Sequence, residues 1–201
     1  SEKAPARRRE LLIVSSTHWQ KARFCGIVGT VRNMEGESRM AKRILLIDCC
    51  VRGEQSRTLT LTRRWLAKQD LELTPLPLEE VEARRDTRLA EQFAQADEIV
   101  VAAPYWDLSF PSILKVYLER VCVTGITFHY VENREEGLCR ADRAVYISTA
   151  GGYVGERHLG EEYVKTVFQR LFGIGAFTAI RCEGLDLPGS DPEALLAAAV
   201  R

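Results

Sequence analysis

The chain has 201 residues, a length that fits one domain with a substantial core, and its 46% hydrophobic content is that of an ordinary globular protein. Lys and Arg number 28, as do Asp and Glu, so the net charge is zero, which excludes a nucleic-acid footprint and the acidic excess of a protein that docks on basic redox partners. No apolar run approaches the ~20 residues of a membrane span, and residues 11–14 are too short for a signal-peptide core, so the expectation is a soluble, cytoplasmic protein with neither a membrane nor a nucleic-acid partner.

Residues 1–39 develop no helical periodicity. Residues 11–15 and 26–31 suit short strands, Gly29 and Gly36 interrupt the region, and Arg7-Arg8-Arg9 reads as a solvated run. Met40 then opens Met-Ala-Lys-Arg-Ile-Leu-Leu-Ile-Asp, the kind of sequence that begins an α/β protein. The expectation is an N-terminal extension of uncertain structure over 1–39 and a single domain over 40–201.

Residues 43–48 form a buried-type strand, followed by a loop from Cys49 to Arg57 and a helix over about 58–68 with Leu59, Leu61, Trp65 and Leu66 as its apolar positions. Residues 71–76 are broken by Pro75 and Pro77 and read as an edge strand. Residues 79–96 are charged and helical, with Val81, Leu89 and Phe93 as contacts. Ile99 to Ala103 is an apolar run suited to a strand buried on both faces, stopped by Pro104. A loop with two aromatics leads to Pro111, which opens a helix carrying Ile113, Leu114, Tyr117, Leu118 and Val121 as its apolar stripe. An extended segment at 126–131 and a polar turn at 132–138 follow. Residues 143–148 form another buried strand, and 160–172 a helix with Tyr163, Val167 and Leu171 inward, ended by Gly173 and Gly175. Residues 177–182 are the last strand, and Asp191 caps a final helix from Pro192. Strands that alternate with helices predict a doubly wound, five-stranded parallel sheet in the order 2-1-3-4-5.

Ligands of open α/β sheets bind outside the carboxyl ends of the strands. Three loops should meet there. In the first, Ser56, Arg57 and Thr58 sit at a helix start, where N–H groups, hydroxyls and the helix dipole hold a phosphate, although ordinary N-capping explains a Ser or Thr equally well. In the second, Tyr105 and Trp106 either lie against a flat heterocycle or belong to local core. In the third, Thr149-Ala150-Gly151-Gly152-Tyr153, paired glycines either admit a ligand to the backbone or serve a turn. Together the three match an FMN site at the switch point between strands 1 and 3. No Gly-x-Gly-x-x-Gly follows the first strand and no Walker A sequence exists. The six cysteines form no C-x-x-C pair and His18, His129 and His158 show no ligand spacing, so no metal is expected.

At these residues the chain resembles the flavodoxin-like NAD(P)H-dependent oxidoreductases, which include the FMN-dependent NADH-azoreductases and the NAD(P)H:quinone oxidoreductases. The resemblance is carried by Pro104, Pro111-Ser112-Ile113-Leu114-Lys115 and Glu119-Arg120-Val121, and by Thr124-Gly125-Ile126-Thr127-Phe128-His129-Tyr130-Val131-Glu132-Asn133 with Gly137-Leu138, and it covers about residues 42–185. It implies a flavodoxin-like fold, FMN as cofactor, NADH or NADPH as co-substrate, and a homodimer with two sites at its interface. It also implies that Ser56 and Thr58 contact the FMN phosphate, that Pro104, Tyr105, Trp106, Asp107 and Leu108 line the isoalloxazine, and that Thr149, Ala150, Gly151 and Gly152 meet its pyrimidine end. Many relatives carry serine where this chain has Cys49-Cys50, and Asn where it has Asp107. The implied activity is transfer of two electrons to a small-molecule acceptor such as a quinone or azo compound, with His129, Tyr130 and Tyr153 as candidate proton donors or substrate contacts, for each of which packing is the competing role. The alternatives are a flavodoxin-type electron carrier, against which the neutral charge and the Gly-x-Thr-Phe-x-Tyr segment speak, and a flavin-free binding protein that kept the fold.

Overall fold

The computed structural model describes residues 9–15, 42–50, 52–68, 71–75 and 87–200. The elements run β1 (Arg9–Ser15), β2 (Lys42–Asp48), α1 (Arg57–Leu66), β3 (Leu71–Pro75), α2 (Thr87–Ala94), β4 (Glu98–Ala102), α3 (Ser112–Val121), β5 (Phe128–Val131), β6 (Arg134–Gly137), β7 (Arg143–Thr149), α4 (Leu159–Thr166), β8 (Ala176–Cys182) and α5 (Pro192–Ala198). The strand expected at 26–31 and the first part of the helix expected at 79–96 lie outside the described residues.

One six-stranded sheet has the order β3-β1-β2-β4-β7-β8, and every pairing in it is parallel. Alternation along each central strand sends residues to two faces. Leu45, Ile47, Ile99 and Val101 pack with Phe93 of α2, Leu114 and Leu118 of α3 and Val164 of α4. Ile44, Leu46, Val100, Val145 and Ile147 pack with Leu59 and Leu61 of α1 and Leu196 of α5. Both faces are covered, which is why β4 reads as a continuous apolar run and is buried at every position.

The sheet departs from the expected one in its count and on one side of β2. Leu71–Pro75 was expected next to Lys42–Asp48, but β1 stands between them, paired from Arg9↔Lys42 to Ser15↔Asp48 on one edge and from Arg9↔Leu71 to Ile13↔Pro75 on the other. Leu11-Leu12-Ile13-Val14 is as apolar as Ile44-Leu45-Leu46-Ile47, and a strand of that composition suits an interior position with both edges hydrogen-bonded.

Two local differences also have physical causes. The polar stretch after β5 is a hairpin rather than a plain turn. Glu132 and Asn133 take φ of 50° and 65°, the left-handed pair of a two-residue type I′ connection, so Arg134–Gly137 returns as β6 against β5. After α4 the helix widens into a π-type turn over Val167–Leu171, and the buried positions are Val164, Phe168 and Phe172 rather than Tyr163, Val167 and Leu171. The phenyl rings of Phe168 and Phe172 approach Phe93 at 5.6 and 4.8 Å between centroids, and this aromatic packing sets the inward face.

Candidate functional site

The loops after β2, β4, β7 and β8 open at the carboxyl edge of the sheet and wall one cavity of about 530 Å³. Cavities of roughly 300–1,000 Å³ are the size class that takes small molecules and cofactors.

The first wall comes from the loop into α1. Ser56 is the helix cap, its Oγ accepting the Leu59 N–H at 3.2 Å. The cap leaves the Arg57 and Thr58 N–H groups at the free end of the helix, where the partial positive charge of the dipole gathers. The Thr58 hydroxyl is buried and meets the Thr149 hydroxyl at 2.6 Å, which ties this loop to the end of β7. Cys50, Arg52, Gln55, Ser56, Arg57 and Thr58 all face the cavity. Cys50 is buried, with its N–H on Asp48 Oδ1 at 2.9 Å and its thiol on the Ala102 carbonyl at 3.7 Å. Burial, then the Asp48 carboxylate, pushes the Cys49 and Cys50 thiols far above the usual range, so neither supplies a thiolate.

The second wall is the aromatic loop. Its start continues the pairing of β4 with β7 through Ala103 N–H to Ile147 O at 3.0 Å and Tyr105 N–H to Thr149 O at 2.9 Å. Trp106 and Ser109 then exchange two backbone hydrogen bonds, of 3.1 and 2.7 Å, around Asp107 and Leu108 at φ of 50° and 65°. This miniature hairpin points Asp107 and Leu108 outward. Pro104, Tyr105 and Trp106 line the cavity and the two turn residues do not. The Arg52 guanidinium sits 5.7 Å from the Trp106 ring centroid, a cation–π distance. The Tyr105 hydroxyl donates to Arg157 O at 3.2 Å.

The third wall joins the loops after β7 and β8. Thr149, Ala150 and Gly151 face the cavity, as do Leu185 and Asp186. The two loops pair through Leu185 N–H to Ala150 O at 3.2 Å, Asp186 N–H to Gly151 O at 2.8 Å and Gly184 N–H to Gly152 O at 3.1 Å. A Cβ on Gly151 would stand 2.2 Å from Asp186 Oδ2, so a protein carboxylate occupies that side of the glycine; one on Gly152 would meet nothing within 4 Å.

The structure therefore gathers Ser56, Thr58, Pro104, Tyr105, Trp106, Thr149, Ala150 and Gly151 around one cavity, with Asp107, Leu108 and Gly152 beside it but not on its wall. It does not bring His129, Tyr130 or Tyr153 there. His129 and Tyr130 lie on the β5–β6 hairpin, with His129 Nε2 3.4 Å from Glu136 Oε2 and Tyr130 61% exposed. Tyr153 is 78% exposed and leans over Gly184. Sequence reasoning placed Arg57 at the helix start for its backbone N–H but not for its side chain, and missed Cys50, Arg52, Gln55, Leu185 and Asp186 as lining. The signal for the last two was available: a fifth parallel strand also delivers its following loop to the carboxyl edge.

Comparisons with known proteins agree with this picture. The family described as flavodoxin-like fold matches residues 42–201. A relative from Clostridium acetobutylicum, named FMN-dependent NADH:quinone oxidoreductase 2, is 47% identical over 114 residues, which cover 54% of this chain and 56% of that protein. One from Clostridium beijerinckii, named FMN-dependent NADH:quinone oxidoreductase, is 37% identical over 139 residues, 68% of this chain and 70% of that one. The chain spans about half the length of most of the curated relatives it matches. A solved FMN-dependent NADH-azoreductase from Bacillus anthracis in complex with FMN superposes with a TM-score of 0.64 at 16% identity, over 97% of this chain and 94% of that one, which is a likeness of fold.

Proposed function

The chain belongs to the family described as flavodoxin-like fold, and from that premise we propose that it is an FMN-dependent NAD(P)H oxidoreductase passing two electrons by hydride transfer to a quinone, azo compound or similar small acceptor. The observation that carries this reading is the cavity of about 530 Å³ walled by the loops after β2, β4, β7 and β8. Its donor set suits FMN. A capped helix start with two free N–H groups faces one part of the cavity, an indole and a phenol face another, and the open side of Gly152 leaves room beside it. When bound, FMN supplies the capacity to take up a hydride and give it away again, which no side chain in the cavity offers.

The residues of this chain then have stated tasks. Ser56 and Thr58 organise the helix start that holds the phosphate. Pro104, Tyr105 and Trp106 shape the shelf for the ring system, and the Asp107–Leu108 turn fixes the angle of that shelf. Thr149, Ala150, Gly151 and Gly152 present backbone near the pyrimidine end, where fixed dipoles stabilise developing negative charge. NADH is the co-substrate favoured by the names of the relatives. A homodimer belongs to the same reading and is supported by exposed Tyr130, Val131 and Leu138 on and beside the β5–β6 hairpin. The FMN-binding unit is residues 40–201, with five strands of its own in the order 2-1-3-4-5 and β1 added between the first two in space.

Purified protein is heated to release any bound flavin, the flavin is identified, and NAD(P)H oxidation is followed with a quinone and with an azo dye. FMN recovery with acceptor-dependent turnover is expected. A colourless chain with no affinity for added FMN would overturn the proposal, and FMN binding without turnover would point to an electron carrier.

A further inference from the structure

One stretch of the cavity wall is an ion pair between two loops. Arg57 Nη1 lies 2.5 Å from Asp186 Oδ1, and both residues face the cavity. The two partners differ in how they are anchored, not in burial. Asp186 is tied down by its N–H on Gly151 O at 2.8 Å, and its carboxylate rests on the open side of Gly151. Arg57 reaches it from the first turn of α1 on a long stem, and both side chains are substantially exposed, 44% at Arg57 and 64% at Asp186. An ion pair exposed on both sides opens at small cost, and the guanidinium, on its long stem, is free to turn to another anion.

The backbone N–H groups of Arg57 and Thr58 sit beside that stem at the helix start. A phosphomonoester received there carries close to two negative charges and would face the same guanidinium. We propose that Asp186 is the resident counter-ion of Arg57 and that Arg57 exchanges it for the phosphomonoester of an incoming ligand, so that this pair sets how strongly the cavity prefers a phosphorylated ligand to its unphosphorylated form. The inference rests on the proposed function for the placement of the phosphate. Arg57 strengthens phosphate binding by a charge-assisted hydrogen bond. Asp186 weakens it by competing for the guanidinium. The pair makes the phosphate end adjustable, where a lone arginine would bind any anion that entered.

The test measures dissociation constants for FMN, riboflavin and inorganic phosphate with the full native chain and with Arg57→Gln, Arg57→Lys, Asp186→Asn and the Arg57→Gln/Asp186→Asn pair. Circular dichroism melts confirm that each variant folds. Arg57→Gln should weaken FMN about tenfold and leave riboflavin unchanged, and Arg57→Lys should restore part of the loss. Asp186→Asn should tighten FMN roughly threefold with riboflavin unchanged, because an exposed ion pair is a modest competitor. The double variant should match Arg57→Gln, since Asp186 acts only through Arg57. Equal changes for FMN and riboflavin, or a loss of FMN affinity in Asp186→Asn, would overturn the exchange and leave a permanent strap between loops. If the native chain binds neither flavin, the proposed function fails and inorganic phosphate becomes the readout. Phosphate binding weakened by Arg57→Gln and tightened by Asp186→Asn keeps the exchange. Phosphate binding that ignores both changes, or is absent, overturns it.

Discussion

Two glycines of this chain are pressed against other parts of the molecule, and what presses on them differs. At Gly137, the end of β6, a Cβ would stand 2.1 Å from Gly173 N and from Phe172 C. At Gly151, on the cavity wall, it would stand 2.2 Å from Asp186 Oδ2. The distances are nearly equal and the consequences are opposite. Backbone atoms next to the buried Phe172 cannot retreat, because their position is fixed by the aromatic core. An exposed carboxylate can turn away at small cost. The hairpin is therefore docked by a contact the fold needs, and the cavity wall by a contact it can spare.

Gly137→Ala breaks the first contact and is the largest effect expected. The hairpin or the Phe172–Gly173 backbone must shift, with a loss of about 3 kcal/mol. A urea melt of the variant checks this. A midpoint equal to that of the native chain would show that the hairpin docks loosely. Gly160→Ala is the intermediate case. Its Cβ would lie 3.0 Å from Ser109 Cα and 2.9 Å from the Phe110 ring, where α4 supports the base of the aromatic loop. The gain in helix propensity, roughly 1 kcal/mol, offsets part of the crowding, and a net loss of about 1 kcal/mol is expected. The same melt reads it, and a gain in stability would mean that the aromatic loop yields easily.

The contrast explains what the sequence could and could not convey. Strand and helix types were legible wherever one periodicity ruled: Ile44 to Ile47, Ile99 to Ala103 and the α3 stripe needed no tertiary information. The three loops of the site followed from strand order alone. The position of β1 was not legible, because its apolar run fits any interior slot of a parallel sheet and only the pairing decides which. The inward face of the helix after Leu159 was misread by one position along its length, because the packing of Phe168 and Phe172 on Phe93 sets that face and only tertiary contacts reveal it. Asp186 and Arg57 were missed as a pair because they are far apart in the chain and meet only across the cavity. Gly137 and Gly151 look alike in sequence, since a glycine announces a turn without saying what lies beside it.

A second pair of places refines the lesson about strain. Asp107–Leu108 and Glu132–Asn133 adopt the same left-handed pair of φ angles. Asn133 tolerates that conformation well, whereas Leu108 does not. Leu108 is half exposed and makes up little of its strain by burial. Leu108→Gly should therefore stabilise the protein by about 0.5–1 kcal/mol, after the entropy that glycine loses on folding. Asn133→Gly should do less. Differential scanning calorimetry of the two variants decides it, and equal gains would show that Leu108 carries no special strain. Strain kept at the mouth of a cavity is expected where the loop's angle matters to a ligand.

Gly151→Ala should be the mildest change in stability, and it isolates what the second contact is for. The new methyl displaces the Asp186 carboxylate, and the ion pair with Arg57 opens. Both side chains are substantially exposed, so the loss is below about 0.5 kcal/mol. The melt should barely move. If the contact serves the fold, as at Gly137, the melt falls by several times that amount and the two glycines are equivalent. If it serves the site, the change shows only in ligand binding: with Asp186 turned aside, Arg57 is released from its counter-ion, and inorganic phosphate should bind more tightly to Gly151→Ala than to the native chain. A stable variant with tighter phosphate binding would separate the contact that holds the fold together from the one that adjusts what the cavity accepts.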